Sequence, residues 1–204
     1  LALKNLQTLL REKLEAAPLL PFPPPAFRGA GVYALYYNGP FTLYAPLVAA
    51  GATVPVYVGK AAAGNSSYGD PTDQDGYNLL ERIQDHTRSV GEASNVDVAD
   101  FRVRYLVLDD AWVVLAERAL LRAYRPVLWN AVMTGFGSNA PGGARGNGRS
   151  VWDTIHPGRV RAANLPAGRM PLTDAQALVA QAITASLMPD GPARDAAVAA
   201  VREA

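Results

Sequence analysis

Two short, aromatic-rich β segments separated by a loop of moderate length constrain this chain more than any other feature. Gly31-Val-Tyr-Ala-Leu-Tyr-Tyr37 and Val54-Pro-Val-Tyr-Val-Gly-Lys60 concentrate β-branched and aromatic residues, and Gly39, Pro40, Pro46 and Gly51 lie between them. Runs joined in this way pair antiparallel, and Pro55 is tolerated at the start of its strand. A third strand follows at Phe101-Arg-Val-Arg-Tyr-Leu-Val-Leu108, where apolar residues alternate with Arg102 and Arg104, so one face bears arginine. Helical periodicity occupies the rest. Leu3, Leu6, Leu10 and Leu14 form a stripe between Leu1 and Ala17, and Leu79, Leu80 and Ile83 face inward in a helix from Tyr77 to Val90. Ala111 to Tyr124 is apolar over most of its circumference and is expected to be buried, with Asp109 or Asp110 as its cap and Pro126 as its stop. Thr173 and Gln176 have the spacing of a capping box that opens a late helix, and an alanine-rich helix is expected beyond Pro189. The economical solution is an α+β fold: a small three-stranded antiparallel sheet flanked by helices, with helical N- and C-terminal extensions.

At 204 residues, half of them apolar, the chain can bury one compact core with a small extension. It has no cysteine, which removes disulfide scaffolds, cysteine nucleophiles and thiolate metal sites together. Its two histidines exclude a multi-histidine zinc site. No apolar run reaches the roughly 18 residues needed to span a bilayer, and the N-terminal leucine stripe, interrupted by Lys4, Arg11 and Lys13, does not read as a signal peptide. The net charge is only +1, yet from Arg118 to Arg169 there are eight arginines against one acid, Asp153. That bias, made of arginine alone, favours a polyanionic partner, because the planar guanidinium fork suits phosphates and guanine edges.

The residues able to carry chemistry fall in a definite order. Tyr33 stands in Gly31-Val32-Tyr33 and Tyr57 in Tyr57-Val58-Gly59; Arg82 and His86 share a helix face four residues apart; Glu117 sits in an otherwise apolar helix; Asn130 follows. A carboxylate in such a helix is costly to bury unless it is paired with a base or binds a metal. The long glycine-rich stretch from Met133 to Gly148 argues for function by its length.

This order resembles the GIY-YIG nuclease superfamily. The segments Gly29-Ala-Gly-Val-Tyr-Ala-Leu-Tyr-Tyr37, Pro55-Val-Tyr-Val-Gly-Lys-Ala61, Tyr124-Arg-Pro126, Trp129-Asn130, Gly135-Phe-Gly137 and Trp152-Asp-Thr-Ile-His-Pro-Gly-Arg159 are similar to its type II restriction endonucleases that cleave CCGCGG. The resemblance runs from about Pro23 to Arg161, and the tail after Ala163 has no counterpart in it. It implies a metal-dependent nuclease acting on double-stranded DNA, with Mg2+ as cofactor and Mn2+ as a possible substitute. Glu117 would be the metal ligand, Arg82 would neutralise the scissile phosphate, and Tyr33 would be the general base on water, with His86 accepting its proton. Help is needed because an unperturbed tyrosine is only about 0.1% ionised at neutral pH. Tyr57 would bond a phosphate oxygen or the water, Lys60 would add positive potential, and Asn130 would hold the local geometry.

On this reading residues 1–28 form a helix and proline-rich arm, 29–132 the catalytic core, 133–163 a basic DNA-recognition segment and 164–204 a helical tail. Arg145, Arg149 and Arg159, with Arg102 and Arg104, are the candidate DNA contacts, whether to bases or phosphates. A palindromic target implies a two-fold homodimer, a methyltransferase protecting the same site as functional companion, and action in the cytoplasm of a prokaryotic cell. The alternatives are a repair or homing-type nuclease with the same core, or a non-catalytic DNA-binding protein of the same fold. The former usually carry added domains or long linkers for which this chain has no room, and the latter would be signalled by loss of Arg82 or Glu117.

Overall fold

The structure, a computed structural model, describes residues 3–62, 76–137 and 148–204. Helix α1 (Leu3–Ala16) leads to a two-residue strand β1 (Leu20–Pro21), then β2 (Gly31–Tyr37), a short α2 (Ala45–Ala49) and β3 (Tyr57–Ala61). Next come α3 (Asn78–Gly91), β4 (Phe101–Val107) and α4 (Asp110–Ala123), then a π-helical turn at Leu128–Val132. Helices α5 (Val151–Ile155), α6 (Leu172–Leu187) and α7 (Pro192–Glu203) complete the chain.

The sheet is antiparallel, in the order β1-β4-β2-β3. The fold is thus the expected α+β arrangement, with a fourth strand supplied by the proline-rich stretch. Leu20 and Pro21 pair with Val103 and Arg102 at the edge of β4, where a proline is allowed because its missing N–H faces away from the ladder. In the middle of the sheet Tyr33 lies between Gly59 and Tyr105, and Leu35 between Tyr57 and Val103.

Strand pleating divides the side chains between two cores. Tyr33, Leu35, Tyr37, Tyr57, Phe101 and Val103 point to one face, where Leu79 and Ile83 of α3, Trp129, Trp152 and Val179 of α6 cover them. Val32, Ala34, Tyr36 and Val58 point to the other, beneath Leu10 and Leu14 of α1 and Ala116, Ala119 and Leu120 of α4. The N-terminal helix is therefore half the cover of one face. It is tied to the end of α4, where the Tyr124 hydroxyl donates to Glu15 at 3.1 Å and the Arg11 guanidinium lies over the Tyr124 ring.

Three sequence expectations are corrected. Helix α4 is capped by Asp109, whose carboxylate accepts from Ala111 N–H at 3.0 Å, but it is not wholly buried: Trp112 and Val114 are more than half exposed. Thr173 and Gln176 form no capping box, because α6 starts one residue earlier at Leu172 and Thr173 bonds its neighbour Asp174. The strand arginines Arg102 and Arg104 do not present an open face; they lie on the side covered by α1 and α4, Arg102 donating to the carbonyls of Ala99 and Phe101 and Arg104 resting over Tyr36. No helix among the described residues is long and apolar enough to cross a membrane.

Because Leu14 is fully buried between α1, α4 and the sheet, Leu14→Ala is expected to cost about 2–5 kcal/mol. Urea denaturation of the full chain reads this as a lowered midpoint; a loss below about 0.5 kcal/mol would show that α1 is dispensable.

Candidate active site

The site is built at the outer edge of the sheet, on β3. Tyr33 and Tyr57 stand on the same face of adjacent strands, their ring centroids 6.0 Å apart. Gly59 faces Tyr33 across the ladder, and a Cβ there would come within 2.5 Å of the Tyr33 hydroxyl and ring. The glycine of the Tyr57-Val58-Gly59 motif is therefore demanded by the tyrosine of the other motif. From α3, His86 brings its ring 5.9 Å from that of Tyr33 and 5.0 Å from that of Tyr57. The Tyr33 hydroxyl and His86 Nε2 are both buried without a hydrogen-bond partner among the described residues.

Glu117 approaches from the opposite face of the sheet. Lys60 is displaced to that face by the pleat, and its ammonium forms an ion pair with the Glu117 carboxylate. Glu117 nonetheless remains near enough to raise the pKa of both site tyrosines. Asn130 locks the strand between the two halves. Its side-chain amide accepts from Val58 N–H at 2.9 Å and donates to Val58 C=O at 2.8 Å, while the Trp129 N–H donates to Val56 C=O at 2.8 Å. The π-helical turn thus pairs with the free edge of β3 as a further strand would.

The turn Gly135-Phe136-Gly137 closes the site. Phe136 stacks on His86 at 4.6 Å with 22° between the planes, and Gly137 passes so close to Tyr57 that a Cβ would lie 2.5 Å from the phenol oxygen. Arginines grip its carbonyls: Arg82 Nη2 donates to Gly137 at 2.9 Å, and Arg159 donates to Phe136 and Gly135, both at 3.2 Å. Arg159 is no outward DNA reader in this structure. It is 1% exposed, its Nε donates to Asp153 at 2.6 Å, and its guanidinium covers the Trp152 ring. Asp153 in turn accepts from Ser150 Oγ at 2.6 Å. Of the other DNA candidates, Arg149 is exposed on the surface, and Arg145 lies outside the described residues.

His156 belongs to the interior. Its ring bridges Asn95 Oδ1 at 2.8 Å and the Tyr44 hydroxyl at 2.7 Å, and Trp129 Nε1 donates to the same hydroxyl at 2.9 Å. This network was not legible in the sequence, since its members lie 61 to 112 residues apart. Phe136, Asp153 and Arg161 were also missed as site residues. Their only sequence signal was membership of the quoted Gly135-Phe-Gly137 motif, of the Trp152-to-Arg159 segment and of the arginine run.

Burial governs the titration. It drives the Tyr33 phenol well above its ordinary value of 10, reinforced by Tyr57 and opposed by Arg82. Burial, then the charges of Arg82, Arg159 and Arg161, lowers His86 from 6.5 to about 3. Burial and Arg159 do the same to His156. The resting site therefore holds a neutral phenol beside a neutral imidazole.

A family described as the Eco29kI GIY-YIG domain matches residues 25–186. The chain belongs to that family. It is the family of the restriction endonuclease Eco29kI, a CCGCGG cutter, and membership implies a nuclease with DNA as its substrate. The family match runs past Arg161 through most of α6, whose Ala175, Val179, Ala182 and Ile183 are packed into the core that carries Tyr33 and Tyr57. A search of curated proteins finds no match.

The family is typically metal-dependent, and the carboxylate whose charge reaches both tyrosines is that of Glu117. Its side chain is 18% exposed, and among the described residues it belongs to no cluster of three or more histidines and acids. One partly open carboxylate fits Mg2+, which keeps several waters and takes further oxygens from substrate phosphate.

Two measurements follow. Removing one partner of the buried Asp153–Arg159 pair, as Asp153→Asn or Arg159→Met, is expected to destabilise the protein by about 3–5 kcal/mol, with the double variant losing less than the sum. Additive losses in denaturation would contradict the pairing. The second concerns pH. Both histidines have folded pKa values below 6.5, so the unfolded chain binds protons there that the folded chain refuses. Their contribution is complete above pH 6.5 and is lost as pH falls toward 3, at up to about 1.4 kcal/mol per histidine per pH unit. The urea midpoint should therefore fall between pH 6.5 and 5, and a flat profile over that interval would contradict the burial of neutral imidazoles.

Proposed function

We propose that this chain is a Mg2+-dependent type II restriction endonuclease that hydrolyses both strands of double-stranded DNA at CCGCGG. The observation that carries the reading is the convergence of Tyr33, Tyr57, His86, Arg82 and Glu117 around one edge strand. Phosphodiester hydrolysis needs a deprotonated water, a neutralised phosphate and a stabilised leaving oxygen, and these residues supply a group for each.

Arg82 is the cation for the scissile phosphate; it is tethered to Gly137, which cuts the entropy lost when it forms a charge-assisted contact. Tyr33 takes the proton from the attacking water while passing its own to His86, so the buried phenol never carries a full charge. The resting protonation states suit this relay, but an imidazole at about 3 is too weak an acceptor from a phenol above 10. A bound phosphate would offset the arginine fields, which add to burial in depressing His86, and so raise its basicity in part. Tyr57 hydrogen-bonds a non-bridging phosphate oxygen or the water. Asn130 and Gly59 keep β3 in the register that sets both tyrosines. When bound at Glu117, Mg2+ supplies positive charge against the oxygens of the transition state. Lys60 holds that carboxylate in place through their ion pair.

A palindrome cut on both strands calls for a homodimer, and a methyltransferase of the same specificity would protect host DNA in a prokaryotic cytoplasm. Residues 133–163 serve as the recognition segment, with the exposed Arg149, and Arg145 outside the described residues, the candidates for guanine edges. Arg159 positions this segment from within.

The test is cleavage of a plasmid carrying one CCGCGG site, with Mg2+, beside Glu117→Ala and an EDTA control. A single linear product is expected, with Glu117→Ala slowed on the order of 10³-fold, as loss of several kcal/mol of charge stabilisation requires. Cuts at other discrete positions would retain the nuclease and discard the target. No cleavage of unmethylated DNA by folded protein would favour a non-catalytic DNA-binding protein.

A further inference from the structure

The arginines that follow Trp152 are of two kinds. Arg159 is sealed in the interior and answered by Asp153. Arg161, two residues on, reaches the same turn from outside, its Nη2 3.2 Å from the Gly135 carbonyl and 3.4 Å from that of Phe136. It is only half-buried and lines an open groove of about 470 Å³. Arg82 and His86 of α3 line the same groove, with Phe136 and Gly137 between them and Arg161.

Two guanidinium groups thus stand at opposite ends of one three-residue turn, Arg82 held by Gly137 and Arg161 by Gly135 and Phe136. Both act on the same imidazole, since His86 feels the charge of each. A third arginine of the groove wall, Arg88, is ion-paired with Asp85, and Glu92 accepts the Val160 N–H at 3.1 Å. Two guanidinium forks tethered along one open groove raise its positive potential and so attract a polyanion. A nucleic-acid strand is such an anion, and tethered guanidinium forks match its phosphates.

We propose that Arg161 binds the backbone phosphate next to the one held by Arg82, making the groove a two-phosphate track that sets the DNA strand beside His86. This rests on the nuclease reading above and adds a residue that reads no base. Phosphate contacts position without specifying, so Arg161 acts alike on every sequence, whereas Arg149 is the candidate for discrimination. The tether to the Gly135-Phe136-Gly137 turn also links strand binding to the loop that stacks on His86.

The experiment measures binding of the full-length protein to a CCGCGG duplex and to a scrambled duplex in EDTA, over a series of salt concentrations. Arg161→Gln keeps an N–H donor for the turn carbonyls and removes the charge; Arg161→Lys keeps the charge. Arg161→Gln is expected to weaken binding to both duplexes equally and to make the slope of log K against log salt shallower by about 0.9, one phosphate's worth. Arg161→Lys should retain the wild-type slope. An unchanged slope in Arg161→Gln would overturn the proposal in favour of a structural arginine, and a loss confined to CCGCGG would overturn it in favour of a base reader. If the wild-type protein binds neither duplex, the DNA reading itself falls and the track with it.

Discussion

The site depends on β3 being an edge strand whose two faces are both in use. Alternation along Tyr57-Val58-Gly59-Lys60 sends Tyr57 and the Gly59 notch to one face and Lys60 to the other. In the middle of a sheet, neighbouring strands would keep those faces apart. At the edge, Glu117 of α4 meets Lys60 on one side and still acts on Tyr33 and Tyr57 on the other. The geometry survives only if the open edge is satisfied, because unpaired N–H and C=O groups invite another strand. Asn130 and Trp129 perform that task with three hydrogen bonds to Val56 and Val58. Asn130 therefore acts on the backbone of β3.

A second constraint works through the Gly135-Phe136-Gly137 turn. Its carbonyls have no ladder to enter and are instead taken by Arg82, Arg159 and Arg161. Three positive charges thereby gather around a histidine that burial already holds below its ordinary value, and Phe136 stacks on its ring face. One member of this cluster, Arg159, is buried against Asp153, while Arg82 and Arg161 line the open groove. The resting site is consequently neutral at Tyr33 and His86 and bordered by arginines.

The antiparallel pairing of the two tyrosine segments, the arginine–histidine pair on α3, the Asp109 cap and the isolated Glu117 were all readable, because each rests on local periodicity or on a residue type costly in its local setting. Where the reading failed, nonlocal packing was responsible. Arg159 looked like an outward cation within a basic run, yet Asp153 and Trp152 make a buried socket for it. Helix α4 looked buried all round, yet its Trp112 and Val114 face outward because the sheet covers only one side of it. The capping-box spacing at Thr173 lost to a helix start one residue earlier, dictated by α6 packing on the core.

By itself the sequence determined the order of the main strands and helices and the family to which the chain belongs. Those properties are written in period, spacing and side-chain type, which neighbouring residues impose on one another. Only the tertiary structure decided which charges oppose which: Lys60 against Glu117, Asp153 against Arg159, and Arg161 beside Arg82 around His86. Charge partners are set by distance and burial in three dimensions, and segments far apart along the chain acquire both only when the sheet, α4 and the Gly135-Phe136-Gly137 turn close around β3.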